Sequence, residues 1–217
     1  MWWWWCNVKI QVKVSLELKD RNGNIKERRE FYSRSWVKNF IVSWVADIAG
    51  WGMTVRDRDG NERSYRGYAG VDGYTQTPPM GGITAYLRQK VRNANVGSSD
   101  KCGILIGTGG TAWNRNQYCL DEQITGDVVT HGNMEIEDGT EDPVEPYVRL
   151  KRTFTNNSGI DITVREIGLF FNYYLYGGIG EVETNYNYMV IRDVLETPIT
   201  IPNGESLTVK YLIFVSY

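Results

Sequence analysis

Strict two-residue alternation at both ends of the chain restricts its fold more than any other feature. Val8, Ile10, Val12, Val14, Leu16 and Leu18 share one parity, and Lys9, Gln11, Lys13, Ser15, Glu17 and Lys19 occupy the other. Successive side chains of a strand point to opposite faces, so this stretch predicts one long strand with its apolar face on a core. The end of the chain repeats the pattern. Leu207, Val209, Tyr211, Ile213, Val215 and Tyr217 alternate after a turn at Pro202-Asn203-Gly204-Glu205, which predicts a last hairpin built into a sheet.

The segments between are punctuated like β-structure. Asp20-Arg21-Asn22-Gly23-Asn24 supplies residues that tolerate positive φ, so the first strand is expected to return through Ile25 to Tyr32 as an antiparallel hairpin. The same loop lacks the twelve-residue ligand series of a calcium site. Ser35 reads as a helix N-cap, with Trp36, Val37, Phe40, Ile41, Trp44, Val45 and Ile48 at helical spacing and Gly50 at the stop. Residues 51–101 read as a loop-rich insertion, with a hairpin around Asp57-Arg58-Asp59-Gly60-Asn61 and then Pro78-Pro79-Met80-Gly81-Gly82. Further on come a strand-like run from Val128 to Ile136, an acidic loop from Glu137 to Asp142, and strands over Tyr147–Thr155, Ile160–Phe171 and Tyr188–Leu195. High Gly (23), Tyr (14) and Trp (8) counts suit a β-rich protein with many turns. The expected fold is mainly β: an antiparallel, jelly-roll-like β-sandwich with one amphipathic helix near the N-terminus, in a single domain over residues 1–217.

Charge excludes several functions. The net charge is −2 and the pI near 5.6, so no basic field draws in nucleic acid. No stretch reaches the roughly 18 to 20 apolar residues of a membrane span, and the start lacks the pattern of a signal peptide. Cys6, Cys102 and Cys119 form no C-x-x-C pair, which argues against zinc. A Cys102–Cys119 disulfide is one alternative, and three reduced thiols the plainer one. Four adjacent indoles, Trp2, Trp3, Trp4 and Trp5, point to both faces of a strand, and burial against a neighbouring subunit is expected for them. Tyr65, Arg66, Tyr68 and Tyr74 mark a loop expected to serve a ligand or lattice contacts, since Tyr and Arg stack on sugars and pack protein interfaces equally well.

Tests for chemistry fail one by one. Gly107-Thr108-Gly109-Gly110-Thr111-Ala112 fits G-x-G-x-x-A after an apolar strand, which in a dinucleotide fold sets backbone N–H groups against a pyrophosphate. No amphipathic helix follows, so nucleotide binding is not expected. The sole histidine, His131, has no nucleophile motif to serve and is expected to be solvated. Glu135 and Glu137 share a strand face, which implies an exposed edge or salt-bridged partners. Neither cofactor nor catalysis is expected. Asn156-Asn157-Ser158 meets the glycosylation pattern, a tripeptide common by chance.

Taken in order, Gly107-Thr108-Gly109, Ala112, Leu120-Asp121-Glu122-Gln123-Ile124, Phe154-Thr155-Asn156-Asn157-Ser158-Gly159, Val164-Arg165-Glu166-Ile167-Gly168-Leu169-Phe170 and Met189-Val190-Ile191-Arg192-Asp193-Val194 resemble tail-fibre and tail-collar-like structural proteins of tailed phages. The resemblance covers roughly the second half of the chain. It implies a non-enzymatic virion subunit, either head, decoration or tail, that assembles with copies of itself and with other virion proteins. Within it Gly168 is expected to allow close strand approach, and Glu166 to bond a neighbouring turn or Arg165. An extracellular filament or cell-surface subunit and a carbohydrate-binding adhesion module are the alternatives.

Overall fold

A computed structural model describes residues 9–49, 52–66, 99–139, 147–175 and 184–216. In chain order these form β1 (Lys9–Lys19), β2 (Ile25–Ser33), α1 (Lys38–Ala49), β3 (Gly52–Arg56), β4 (Glu62–Arg66), β5 (Gly103–Gly107), β6 (Val129–His131), β7 (Glu135–Gly139), β8 (Tyr147–Asn156), β9 (Ile162–Leu175), β10 (Thr184–Ile201) and β11 (Ser206–Ser216). The protein is mainly β, its strand pairs are antiparallel, and α1 is the single helix among the described residues.

The two alternating ends of the sequence are neighbours. β1 pairs with β11 over its whole length, from Lys9 opposite Ser216 to Lys19 opposite Ser206. They form the centre of the larger sheet, ordered β2-β1-β11-β8-β6, with β7 also on β8. A smaller sheet, β10-β9-β5, packs against it, and β3 and β4 make a separate hairpin. Inward residues of both sheets share one core: Val12, Val14, Leu16, Val209 and Tyr211 from the larger, Ile104, Ile106, Leu169 and Ile191 from the smaller. This is a sandwich. The small sheet is also covered outside, where Leu105, Phe170 and Met189 pack on Val37 and Leu120.

Local chemistry explains the boundaries. Asp20 Oδ1 accepts from the Asn22 and Asn24 N–H groups at 2.8 Å each, and Gly23 takes φ 86°, closing the first hairpin as the sequence implies. On the outer face of the larger sheet Glu135 pairs with Lys151 at 2.8 Å and Glu17 with Lys210 at 2.7 Å; Glu137 meets Arg149. The like charges of β7 are thus salt-bridged across the strand.

Several elements differ from the sequence reading. The helix starts at Lys38, because Ser35–Val37 is recruited to the edge of β10: the Ser35 carbonyl accepts from Arg192 N, Trp36 bridges to Ile191, and Val37 N donates to Val190 O. Ser35 is therefore not the N-cap. The run from Val128 to Ile136 is broken in two around Gly132, whose N–H turns to Thr153 O. β10 continues to Ile201 past Pro198, which lies in a register shift between Val194 and Ile199 where the ladder needs no donor. His131 is buried, not solvated, with its ring edge-on to Phe154 and its pKa held down by burial.

Candidate functional site

The glycine turn after β5 lies over the outer face of the small sheet. Its close neighbour is a carboxylate. A Cβ added at Gly107 would sit 2.6 Å from Glu166 Oε1 and 2.6 Å from the Glu122 carbonyl, and one at Gly109 would sit 2.5 Å from the same Oε1. These glycines make room for Glu166, which is fully buried and accepts from Asp121 N at 3.2 Å and Glu122 N at 3.0 Å. Where a nucleotide fold would leave room for a phosphate, the space beside Gly107 and Gly109 is filled by the Glu166 carboxylate. Of the two partners foreseen for Glu166, the structure selects the turn.

The counter-charge is Arg192 on β10, also fully buried. Its Nε donates to Glu166 Oε2 at 2.7 Å and its Nη2 to Asp121 Oδ2 at 2.6 Å. Nη1 donates to the Thr111 carbonyl at 3.1 Å and to Gln117 Oε1 at 3.0 Å. Asp121 further accepts from the N–H and hydroxyl of Thr111. One guanidinium thus ties β9, β10 and residues 111–121 together. The irregularity between Met189 and Ile191 has a consequence here: Met189 and Arg192, three residues apart, both reach this outer side.

Arg152 on β8 is the second buried cation. It donates to the carbonyls of Gly132 (2.8 Å), Cys102 (3.0 Å), Ile104 (2.9 Å) and Ser99 (2.6 Å), joining the larger sheet to β5. Asn156 is buried as well, and its Nδ2 donates to Ile160 O and Ile201 O at 2.7 Å each, so it is closed to glycosylation. Cys102 and Cys119 are not joined in a disulfide, and burial raises the pKa of both, the opposite of a reactive cysteine.

Asp193 points the other way from Arg192, into the space between the sheets. It accepts from Ser33 Oγ at 2.7 Å and Tyr211 Oη at 3.3 Å, and burial pushes its pKa above the usual carboxylate value. A carboxyl whose folded pKa exceeds its unfolded one holds its proton better in the native state. Its contribution is complete below the unfolded pKa and is lost as pH rises through the folded one. Stability that falls with rising pH through the acid range is therefore expected from this residue, and Asp193→Asn will flatten that fall. Urea midpoints of both proteins across the acid-to-neutral range check this; parallel profiles would refute it.

The residues singled out in the sequence are only partly brought into view. Tyr65 lies on β4, fully buried, with its ring 4.8 Å from Tyr173 and 5.9 Å from Tyr188. It is a core residue of the docked β3–β4 hairpin and offers no face to a ligand. Trp2, Trp3, Trp4, Trp5, Tyr68, Tyr74 and the side chain of Arg66 lie outside the described residues. An open groove of about 720 Å³ lies at the start of β1, between that strand, Tyr32, Arg34 and Trp36. Sequence reading missed it, because it arises from β2 leaving β1 and not from a motif. Among the described residues no group of His, Cys, Asp and Glu is arranged to hold a metal ion, and no helix is long and apolar enough to cross a membrane. The chain matches no protein-family model, no curated protein and no solved structure.

Proposed function

We propose that this chain is a non-enzymatic, self-assembling structural subunit of a phage-like virion, working as a capsid, decoration or tail component with copies of itself and other virion proteins. The observation that carries the reading is the convergence around Glu166. Pieces of sequence that resemble tailed-phage structural proteins, from Gly107-Thr108-Gly109 through Leu120–Ile124 and Val164–Phe170 to Arg192, meet in one buried lock. Its ionisable groups are engaged with each other and with backbone, an arrangement that rigidifies a sheet. In such a subunit the sandwich is a rigid body that presents loops and termini, and burial of aromatic side chains between copies supplies the association energy.

Sedimentation of the purified chain combined with negative-stain imaging tests the reading. Rings, tubes or shells are expected, with each specific interface burying about 1,000 Å² or more. A chain that stays monomeric at every concentration and binds glycans would replace this reading with an adhesion module.

A further inference from the structure

β2 leaves the side of β1 early. Their pairing stops at Val12 opposite Ser33, whereas β1 remains paired with β11 as far as Lys9 opposite Ser216. Beyond Ser33 the chain turns off to the edge of β10, where Trp36 bridges to Ile191. Lys9, Ile10 and Gln11 therefore have a strand on one side and, among the described residues, none on the other. The groove of about 720 Å³ occupies that gap. Ile10 and Trp36 give it an apolar wall, and Tyr32 is 57% exposed beside it. Lys9 and Arg34 add two cations.

Half a free strand edge beside an aromatic hollow is a receptor for an added strand: main-chain hydrogen bonds give affinity, and alternate side chains enter the hollow. Cations at its rim suit the faces of indole rings. The chain carries a segment of that chemistry, Trp2–Trp5, separated from Lys9 by Cys6, Asn7 and Val8. We propose that the groove receives Trp2–Trp5 of a second copy of the chain as a short strand beside Lys9–Gln11.

Turn chemistry decides between a second copy and the chain's own end. To lie beside its own Lys9–Gln11 the tryptophan run must reverse within Cys6-Asn7-Val8. Short hairpin loops put glycine or Asn-Gly where φ is positive, and this connector has no glycine and ends in β-branched Val8. In the sequence Val8 instead keeps the two-residue alternation of Ile10 and Val12, the pattern of a strand that runs on without a turn. One-way insertion of this kind is heterologous and builds rings or open filaments.

The proposal rests on the assembly reading, and its test keeps the two apart. A blocked-groove variant carries Tyr32→Glu and Arg34→Glu, both exposed positions, so circular dichroism should match the wild type. An acceptor variant keeps the groove and has each of Trp2–Trp5 replaced by Ser. Each alone is expected to need about thirtyfold more protein to assemble than the wild type, the loss of a tryptophan hot spot. Mixed, they should form a one-to-one complex. A synthetic peptide of residues 1–8 should bind the acceptor and not the blocked-groove variant. Assembly of the blocked-groove variant at wild-type concentrations, or a mixture that stays monomeric while the wild type assembles, overturns the proposal alone. A wild type that never assembles overturns the proposed function with it.

Discussion

Glu166→Ala should lower the unfolding free energy by about 3–5 kcal/mol, because it strips a fully buried guanidinium of its fully buried partner. For a chain of this size that is a fall of roughly 6–20 °C in Tm. Three losses combine. Arg192 keeps only Asp121 as a counter-charge, and that carboxylate is partly exposed at 25%. The N–H groups of Asp121 and Glu122 lose their acceptor, and a hole opens beneath Gly107 and Gly109. Arg192→Ala should cost a similar amount, and the double variant should cost less than the two singles added, with a coupling of about 1–3 kcal/mol. Glu166→Leu with Arg192→Met should be milder than either truncation, since removing both charges leaves neither unpaired. Urea unfolding of the four proteins gives the cycle. Amide exchange of residues 108–123 should quicken in Glu166→Ala while that of β1 and β11 holds. A cost below about 1 kcal/mol would mean that water replaces the carboxylate and that the glycine turn is not locked by it.

The strands that pattern made legible are those with one polar face. β1 and β11 alternate because the outer side of the larger sheet carries Lys13, Glu17 and Lys210 in cross-strand pairs while the inner side is core, so two-residue periodicity survives. The small sheet is buried on both sides, and Gly103-Ile104-Leu105-Ile106-Gly107 gives no alternation to read. Its partners had to come from the tertiary structure. So did the fate of Ser35–Val37, whose helical spacing with Phe40 was outcompeted by free backbone groups on β10. The stacking of Trp36 on Phe40, centroids 3.8 Å apart, keeps the apolar stripe continuous although the backbone changes from bridge to helix between them.

At the glycine turn the sequence showed that close approach was needed and left open what approaches. G-x-G-x-x-A reports small residues in a tight turn, and a phosphate and a buried carboxylate both demand them. The absence of a following helix was the usable signal in the sequence. Nothing local announced that Glu166 and Arg192 are partners, since they sit on neighbouring strands in offset register, Glu166 opposite Val194 and Arg192 opposite Gly168. The groove was illegible for the same reason: its shape follows from where a pairing ends.

Arg152→Lys should destabilise by about 3 kcal/mol even though charge is conserved. The guanidinium serves carbonyls on two separated pieces of chain, at Ser99, Cys102 and Ile104 and at Gly132. An ammonium has three donors on a flexible stem and cannot reproduce that planar fork, so buried carbonyls are left without donors. Arg152→Leu should cost more, because the bonds go and the carbonyls remain. The site differs from the ion pairs of the outer face in its response to salt. Lys13–Glu30 is about one-third exposed and should weaken as salt rises, whereas Arg152 is buried and its effect should be the same at low and high ionic strength. Urea midpoints of wild type, Arg152→Lys and Arg152→Leu at both salt levels make the comparison. Because Arg152 extends from β8 to Ile104 on β5, the loss should appear first as faster amide exchange in residues 103–107, with the β1–β11 pair protected until global unfolding. Near-wild-type stability of Arg152→Leu would show that the carbonyls find water or each other, and that the sheets are joined by the apolar core alone.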